Sequence, residues 1–471
     1  MSSDSPRDLA HALRPRHLSM IALGGVIGAG LLVASSGAIV SAGPAVVLTY
    51  AGGGLLVVLV MRMLGEMASV SPETGSFSAY ASRFIGPWAG TAVGWLYWWF
   101  WSVTVGIEAT AAAVILADWV PALPQWVCAL ALTVIFLGVN LISVGSFGEF
   151  EFWFSSIKVG TIVAFLIVGI LLIAQVIPNG TASAANLAGS DSGGFMPYGI
   201  GGVLAAFLPV MFSMFGAEVA TIAAGESMHP RAAVRKAVNS VVARILLFYI
   251  GSMLVIVTVL PWNRIEAGVS PFVTVLDAAG FGWAGTVMNV IVFTALFSTL
   301  NAALYSSSRM VFSLAERGAA PRRLARVSRR ATPSSAILFS AIIGLVCVAL
   351  NYAAPDAVFS FLVNSTGALV IVIWAAIAVS QLRSRRVLAR QGIDAVAQEG
   401  VSRTWGFPVV NWMVIAALAG LLISMFFAGG QRLIEVTASA VVIALAVTVG
   451  VAVQRRGLRS DQEPAERRAR L

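Results

Sequence analysis

Long apolar runs alternate with short polar stretches along nearly the whole chain. Twelve runs stand out, near 18–40, 43–68, 88–116, 124–145, 152–176, 199–224, 240–261, 282–304, 334–352, 357–380, 408–428 and 432–454. Each is at or near the length of about 20 residues that an α-helix needs to cross a hydrocarbon core about 30 Å thick. In that core only helices or closed barrels satisfy their own backbone. The pattern therefore predicts an all-α polytopic membrane protein of twelve transmembrane helices.

The first run is interrupted. Between Ile21 and Leu31 four of eleven residues are glycine, at 24, 25, 28 and 30. Each lowers helix stability by about 1 kcal/mol relative to alanine. Small residues also let a neighbouring helix approach closely, and glycine content alone fits that reading as well as a broken helix. A break at membrane depth requires that the freed N–H and C=O groups face a cavity or a ligand.

Composition agrees with the pattern: 58% of the residues are hydrophobic and only 11% charged. The first apolar run is too long, and lacks the flank, for a cleavable signal peptide. The net charge of +9 would suit nucleic acid, but its placement does not. With the N-terminus inside, all of the 30 Lys and Arg except Arg264, Arg432 and Lys158 fall in tails, inner loops or inner helix ends. That is a positive-inside distribution, and it predicts that both termini are cytoplasmic. The clusters around Arg322–Arg330, Arg383–Arg390 and Arg455–Arg470 report this topology and contact with anionic lipid. The pattern predicts polar tails at 1–17 and 455–471 around one membrane domain at 18–454; if its first ten runs are two repeats, these span 18–176 and 199–380, with two extra helices at 408–454. Cys128 and Cys347 both lie in apolar runs, which argues against a disulfide framework or a metal site.

Chemistry is sparse. There is no HExxH, GxSxG or P-loop pattern, and His11, His17 and His229 sit at the cytoplasmic margin. No enzyme activity, cofactor or metal is expected. The ionisable residues deep in apolar runs are Glu108, Lys158 and Glu218, and such residues mark functional sites by their cost. Glu108 faces a substrate amine or pairs with a neighbour. Lys158 either snorkels to the inner interface or sets its ammonium against freed carbonyls of segment one or eight. Glu218 either caps a helix restart or links protonation to movement of segment six. Arg62, Glu66 and Glu226 read as inner-gate or structural charges. The aromatic block Trp95–Trp101 reads as an interfacial belt and packing surface rather than a ligand box. Segment eight carries Ser298, Thr299 and Asn301, with Thr299 assigned to substrate. Segments eleven and twelve carry no intramembrane charge in this reading and serve as scaffold or oligomer contact.

If the first ten segments are two repeats of five, segment one matches segment six in the opposite sense. Segment six carries its own interruption, Phe212-Ser-Met-Phe-Gly216, followed by Glu218. Matching interruptions point to a transporter's central site. N–H groups at the start of a half-helix, from Gly28 through Ala29 to Gly30, suit a carboxylate. Freed carbonyls near Val26, Phe212 and Phe215 suit an ammonium group. The expected substrate is a small zwitterionic amino acid.

Several stretches carry a likeness to known proteins: Met61-Arg-Met-Leu-Gly-Glu-Met67, Thr74-Gly-Ser-Phe-Ser78, Gly94-Trp-Leu-Tyr-Trp-Trp-Phe-Trp101, Gly148-Glu-Phe-Glu-Phe-Trp153 and Leu300-Asn-Ala-Ala-Leu-Tyr305. With them the chain resembles bacterial amino acid permeases of the amino acid–polyamine–organocation superfamily, and among these the GABA (4-aminobutyrate) permeases. The resemblance implies a five-plus-five inverted repeat (LeuT-like) with broken helices 1 and 6, two extra helices, and symport of substrate with protons in the bacterial cytoplasmic membrane. By position it assigns Val26 and Gly28, Ala29 and Gly30 to the carboxylate. It assigns Phe212, Ser213 and Phe215 to the amine or to closure over the ligand. Lys158 and Glu218 fall to proton coupling, Lys158 at the place of a sodium site in sodium-coupled relatives. Leu32 stands where many relatives have Phe. The alternatives are another neutral substrate such as proline or β-alanine, or exchange without a proton.

Overall fold

The computed structural model describes residues 27–71, 76–142, 147–178, 180–189, 193–219, 230–328, 332–392, 403–427 and 429–469. Among them there are helices and no strands, as a chain that must satisfy its own backbone in hydrocarbon requires. Eleven helical stretches are long and apolar enough to cross a membrane, and the first of them, Ala29–Val70, joins the second half of segment one to segment two. The twelve-segment expectation is consistent with this count, because that first stretch of 42 residues holds parts of two segments.

Segment one appears as α1 (Ala29–Leu32) and α2 (Ser35–Ala42), and segment two as α3 (Val46–Val70). The short α4 (Ser76–Phe84) leads into α5 (Pro87–Trp119), α6 (Gln125–Ile142) and α7 (Phe147–Ile173). Segment six divides into α8 (Gly199–Ala205) and α9 (Phe207–Met214). Segment seven runs as α10 (Pro230–Arg244), a π-helical turn over Ile245–Gly251, and α11 (Ser252–Val259). After α12 (Pro271–Ala278) come α13 (Gly282–Glu316), α14 (Ser334–Ala353) and α15 (Pro355–Arg390). The last two are α16 (Val409–Phe427) and α17 (Gly430–Ala469). Pro87 and Pro271 occupy first-turn positions, where a missing N–H costs no helical bond.

The middle of the bundle is α5. It packs on α13 above all, and on α17, α14, α6 and α15. Its residues from Val103 to Ala113 are buried throughout. By contrast α6, α16 and α17 turn large apolar side chains outward, among them Ile135, Met413 and Leu445, as a lipid-facing layer does. Several hydroxyls inside the bundle return to a carbonyl one turn back: Ser35 donates to Leu31, Thr104 to Phe100 and Ser307 to Ala303. This local bonding satisfies a polar group without water or a cross-helix partner.

Candidate functional site

The described part of segment one begins at Ile27, inside the glycine stretch. Gly28 is extended (φ −142°, ψ −149°), and a helix begins at Ala29. Both carboxylate oxygens of Glu108, on α5, accept the Ala29 N–H at 3.1 Å. An acid at this N-terminus meets the orphan donor and the positive end of the helix dipole together. There is no room for a side chain at Gly28, since a Cβ would lie 2.5 Å from Thr299 Oγ1 and 2.6 Å from Glu108 Oε1.

Segment six breaks in the corresponding way. Helix α9 ends at Met214, Phe215 is extended at ψ 152°, and Gly216 takes φ +97°, a conformation that side chains disfavour. Here too a carboxylate takes the freed donor: the Gly216 N–H lies 3.1 and 3.0 Å from the two oxygens of Glu218. The two half-helices touch, for a Cβ on Gly30 would stand 2.6 Å from the Ser213 Cα. Ser213 itself is held on both sides. Its hydroxyl donates to Val210, and its carbonyl accepts from the Tyr249 hydroxyl at 2.9 Å. Tyr249 lies in the π turn, a wider coil that often marks a working position.

Aromatic rings wall this crossing. Phe215 has Phe100 at 4.2 Å between ring centroids, Tyr97 at 5.8 Å and both Trp101 and Trp374 at 6.4 Å. Phe212 has Phe100 at 5.6 Å. The aromatic block of segment three is therefore no interfacial belt on this side. Tyr97, Phe100 and Trp101 are buried and face the segment-six break, because α5 is the central helix.

On the other side of Gly28 lies a polar chain. Lys158 Nζ donates to Thr299 Oγ1 at 3.4 Å, and the Thr299 hydroxyl has the carbonyls of Ile27 (3.3 Å) and Ala295 (3.2 Å) as acceptors. Glu151 stands 3.9 Å from Lys158 Nζ and accepts from Ser298 at 2.8 Å and Ser155 at 3.2 Å. All of these side chains are buried. A narrow cavity bordered by Ile27, Lys158, Phe272 and Val292 opens beside them.

At the end of the bundle rich in arginine, Glu66 collects four donors. They are Arg385 through Nε (2.7 Å) and Nη2 (2.8 Å), Gln381 (2.8 Å) and the Thr404 N–H (2.7 Å). Arg62, one turn away, stacks its guanidinium 3.5 Å from the Trp405 ring centroid. This cluster ties α3 to α15 and to the stretch before α16.

The profile of the amino acid permease family matches residues 17–456. The chain belongs to that family. The permease is 46% identical over 431 residues to the gamma-aminobutyric acid permease of Bacillus subtilis, with 91% of each chain covered. It is 43% identical over 451 residues to that of Escherichia coli, with 95% of each covered. The aromatic amino acid transport protein AroP of Corynebacterium glutamicum is 41% identical over 467 residues, covering 98% of this chain and 99% of that one. Among solved structures, a manganese transporter of Eremococcus coleocola in complex with an aromatic bis-isothiourea compound superposes with a TM-score of 0.58 at 15% identity, over 93% of this chain and 94% of that one. At that identity the likeness speaks for the fold alone.

Of the permease residues singled out from sequence, the structure brings Gly28, Ala29, Gly30, Glu108, Lys158 and Thr299 together around one break. It sets Phe212, Ser213, Phe215 and Glu218 around the other. Val26 and Glu226 lie outside the described residues. The N–H of Ala29, assigned to a substrate carboxylate, is bound by Glu108, whose expected partner is a substrate amine or a neighbour. Among the described residues no three His, Cys, Asp or Glu side chains are grouped to hold a metal ion. One expectation needs correction: the last two helices are not free of buried polar groups. Glu435, buried in the first turns of α17, accepts from Asn364 at 2.9 Å and Arg432 at 3.1 Å, and Asn411 of α16 donates to Gln381 at 2.6 Å.

Sequence reasoning passed over Glu151, Tyr249 and the partners of Glu66. Glu151 carried a signal: it lies seven residues before Lys158, two turns along one face of a helix. Tyr249 and Arg385 carried none, because only the fold sets them beside Ser213 and Glu66.

Proposed function

We propose that this permease is a secondary transporter that imports 4-aminobutyrate with a proton across the bacterial cytoplasmic membrane. The observation that carries the substrate is the agreement in name of the relatives from Bacillus subtilis and Escherichia coli over nine-tenths of the chain. Two helix breaks that meet at Gly30 and Ser213 support a central site. In this reading Val26, Gly28, Ala29 and Gly30 border the carboxylate, with Thr299 beside them, and Glu108 faces the amine or keeps its neighbour Ala29. Phe212, Ser213 and Phe215 border the amine and close over the ligand. Lys158 and Glu218 respond to the transported proton. Repeat one spans 18–176, repeat two 199–380, and the extra helices 408–454 complete the domain between two cytoplasmic tails.

The test is uptake of labelled 4-aminobutyrate into proteoliposomes with and without an inward proton gradient. Accumulation that requires the gradient supports the reading. Gradient-insensitive exchange overturns the symport, and absence of uptake beside robust proline or β-alanine uptake overturns the substrate. The Lys158→Ala variant is expected to lose gradient-driven accumulation.

A further inference from the structure

We infer that Glu151 is a positioning residue for coupling: it is the counter-charge that holds protonated Lys158 against Thr299 and the Ile27 carbonyl. This rests on the proton-symport reading above. Both side chains are almost wholly buried, at 2% exposure each, on one face of α7. Glu151 does not merely neutralise. One oxygen accepts from Ser298 of α13 and the other from Ser155 of its own helix, so its position is fixed before Lys158 is considered. Lys158 in turn reaches Thr299, one residue beyond Ser298, and through it the last carbonyl before Gly28. The chain from Glu151 to Ile27 thus joins α7 and α13 to the break in segment one.

The charge arithmetic gives this chain its consequence. While Lys158 is an ammonium, the pair is neutral overall and every member has a partner. When Lys158 gives up its proton, Glu151 is left as a carboxylate without its counter-charge in a dry interior, which is costly. Proton release is therefore favoured only in a conformation that admits water to Glu151, and that requirement links the proton to movement of segment one. The groups facing Lys158 bear this out among the described residues. Glu108 on α5 is the second acid close enough to act on it. The α13 helix offers the hydroxyls Ser298 and Thr299. The neighbouring stretch Ile245–Val259 contains one titratable side chain, Tyr249, which is bonded to Ser213. Glu108 is anchored on the Ala29 N–H, whereas Glu151 stands 3.9 Å from Lys158 Nζ as its ion-pair partner.

The test uses the full chain in proteoliposomes. Glu151→Gln keeps the shape, accepts one serine hydroxyl through its oxygen and donates to the other through its NH2, but removes the charge. Gradient-driven accumulation of 4-aminobutyrate is expected to fall at least tenfold and the pH profile of uptake to flatten, with Glu151→Asp restoring pH dependence. Wild-type accumulation and an unchanged profile in Glu151→Gln overturn the inference. If that variant does not fold, Glu151→Asp decides, since a shorter arm to Lys158 must shift the profile and an unshifted one overturns the inference. Should wild-type uptake ignore the gradient, the symport reading fails by itself. A thermal-stability cycle of Glu151→Gln, Lys158→Met and the double variant then decides the pairing: non-additive shifts support it, and additive shifts overturn it.

Discussion

Both carboxylate oxygens of Glu108 lie 3.1 Å from the amide nitrogen of Ala29, 79 residues away in the chain. The same arrangement recurs at the second break, where Glu218 holds the Gly216 N–H. Each interruption thus exposes a donor in a medium without water, and each is met by an acid.

Removing the acid at the first break leaves that donor bare. A buried unsatisfied donor costs about 1–3 kcal/mol. Glu108→Ala is expected to lower thermal stability in detergent by that amount and to weaken substrate binding, whereas Glu108→Gln, which retains a carbonyl acceptor, loses less. Equal melting temperatures for the two variants would contradict the assignment.

Gly28 has no space for a side chain between Thr299 and Glu108. Gly28→Leu is expected to abolish binding of labelled 4-aminobutyrate while the protein still elutes as a folded species on size exclusion. Unchanged affinity would remove the first break from the binding site.

Gly216 takes φ +97°, and a residue with a Cβ there carries strain of about 1–3 kcal/mol. Gly216→Ala should therefore lower the melting temperature and slow uptake together. An unaltered melting temperature would mean that the second break tolerates other geometries.

Glu66 joins α3, α15 and the approach to α16 through Arg385, Gln381 and Thr404. Breaking a fully buried pair costs about 3–5 kcal/mol; Arg385 is 18% exposed, so the loss in Glu66→Ala should sit below that range. Glu66→Gln keeps acceptors for the Thr404 N–H and is expected to recover part of the loss. Differential scanning fluorimetry of the purified variants measures both.

How much of the site was legible depended on how far each signal reached along the chain. The break at Gly28 and the one at Gly216 were local signals, since glycine and a stalled helix period are properties of a few adjacent residues. Lys158 and Glu108 stood out because a charge in an apolar run is rare and costly. Of the two roles read for the aromatic block, belt and packing surface, the structure shows packing for Tyr97, Phe100 and Trp101, and composition does not distinguish the two. Only the central place of α5 separates them. Glu435 was passed over because it sits near a helix end, where a charge ordinarily reaches the interface, and Asn364 and Arg432 meet it there instead.

By itself the sequence determined the solvent and the element type. Runs of about 20 apolar residues require lipid, and lipid requires helices that satisfy their own backbone. It also marked two runs, at Gly28 and at Gly216, as places where a helix could be interrupted. Tertiary structure alone decided what meets the freed groups. The approach of Gly30 to Ser213, the reach of Glu108 to Ala29, and the line from Glu151 through Lys158 and Thr299 to Ile27 each join positions far apart in the chain. Such contacts are set by how the helices cross, and hydrophobic pattern does not encode a crossing.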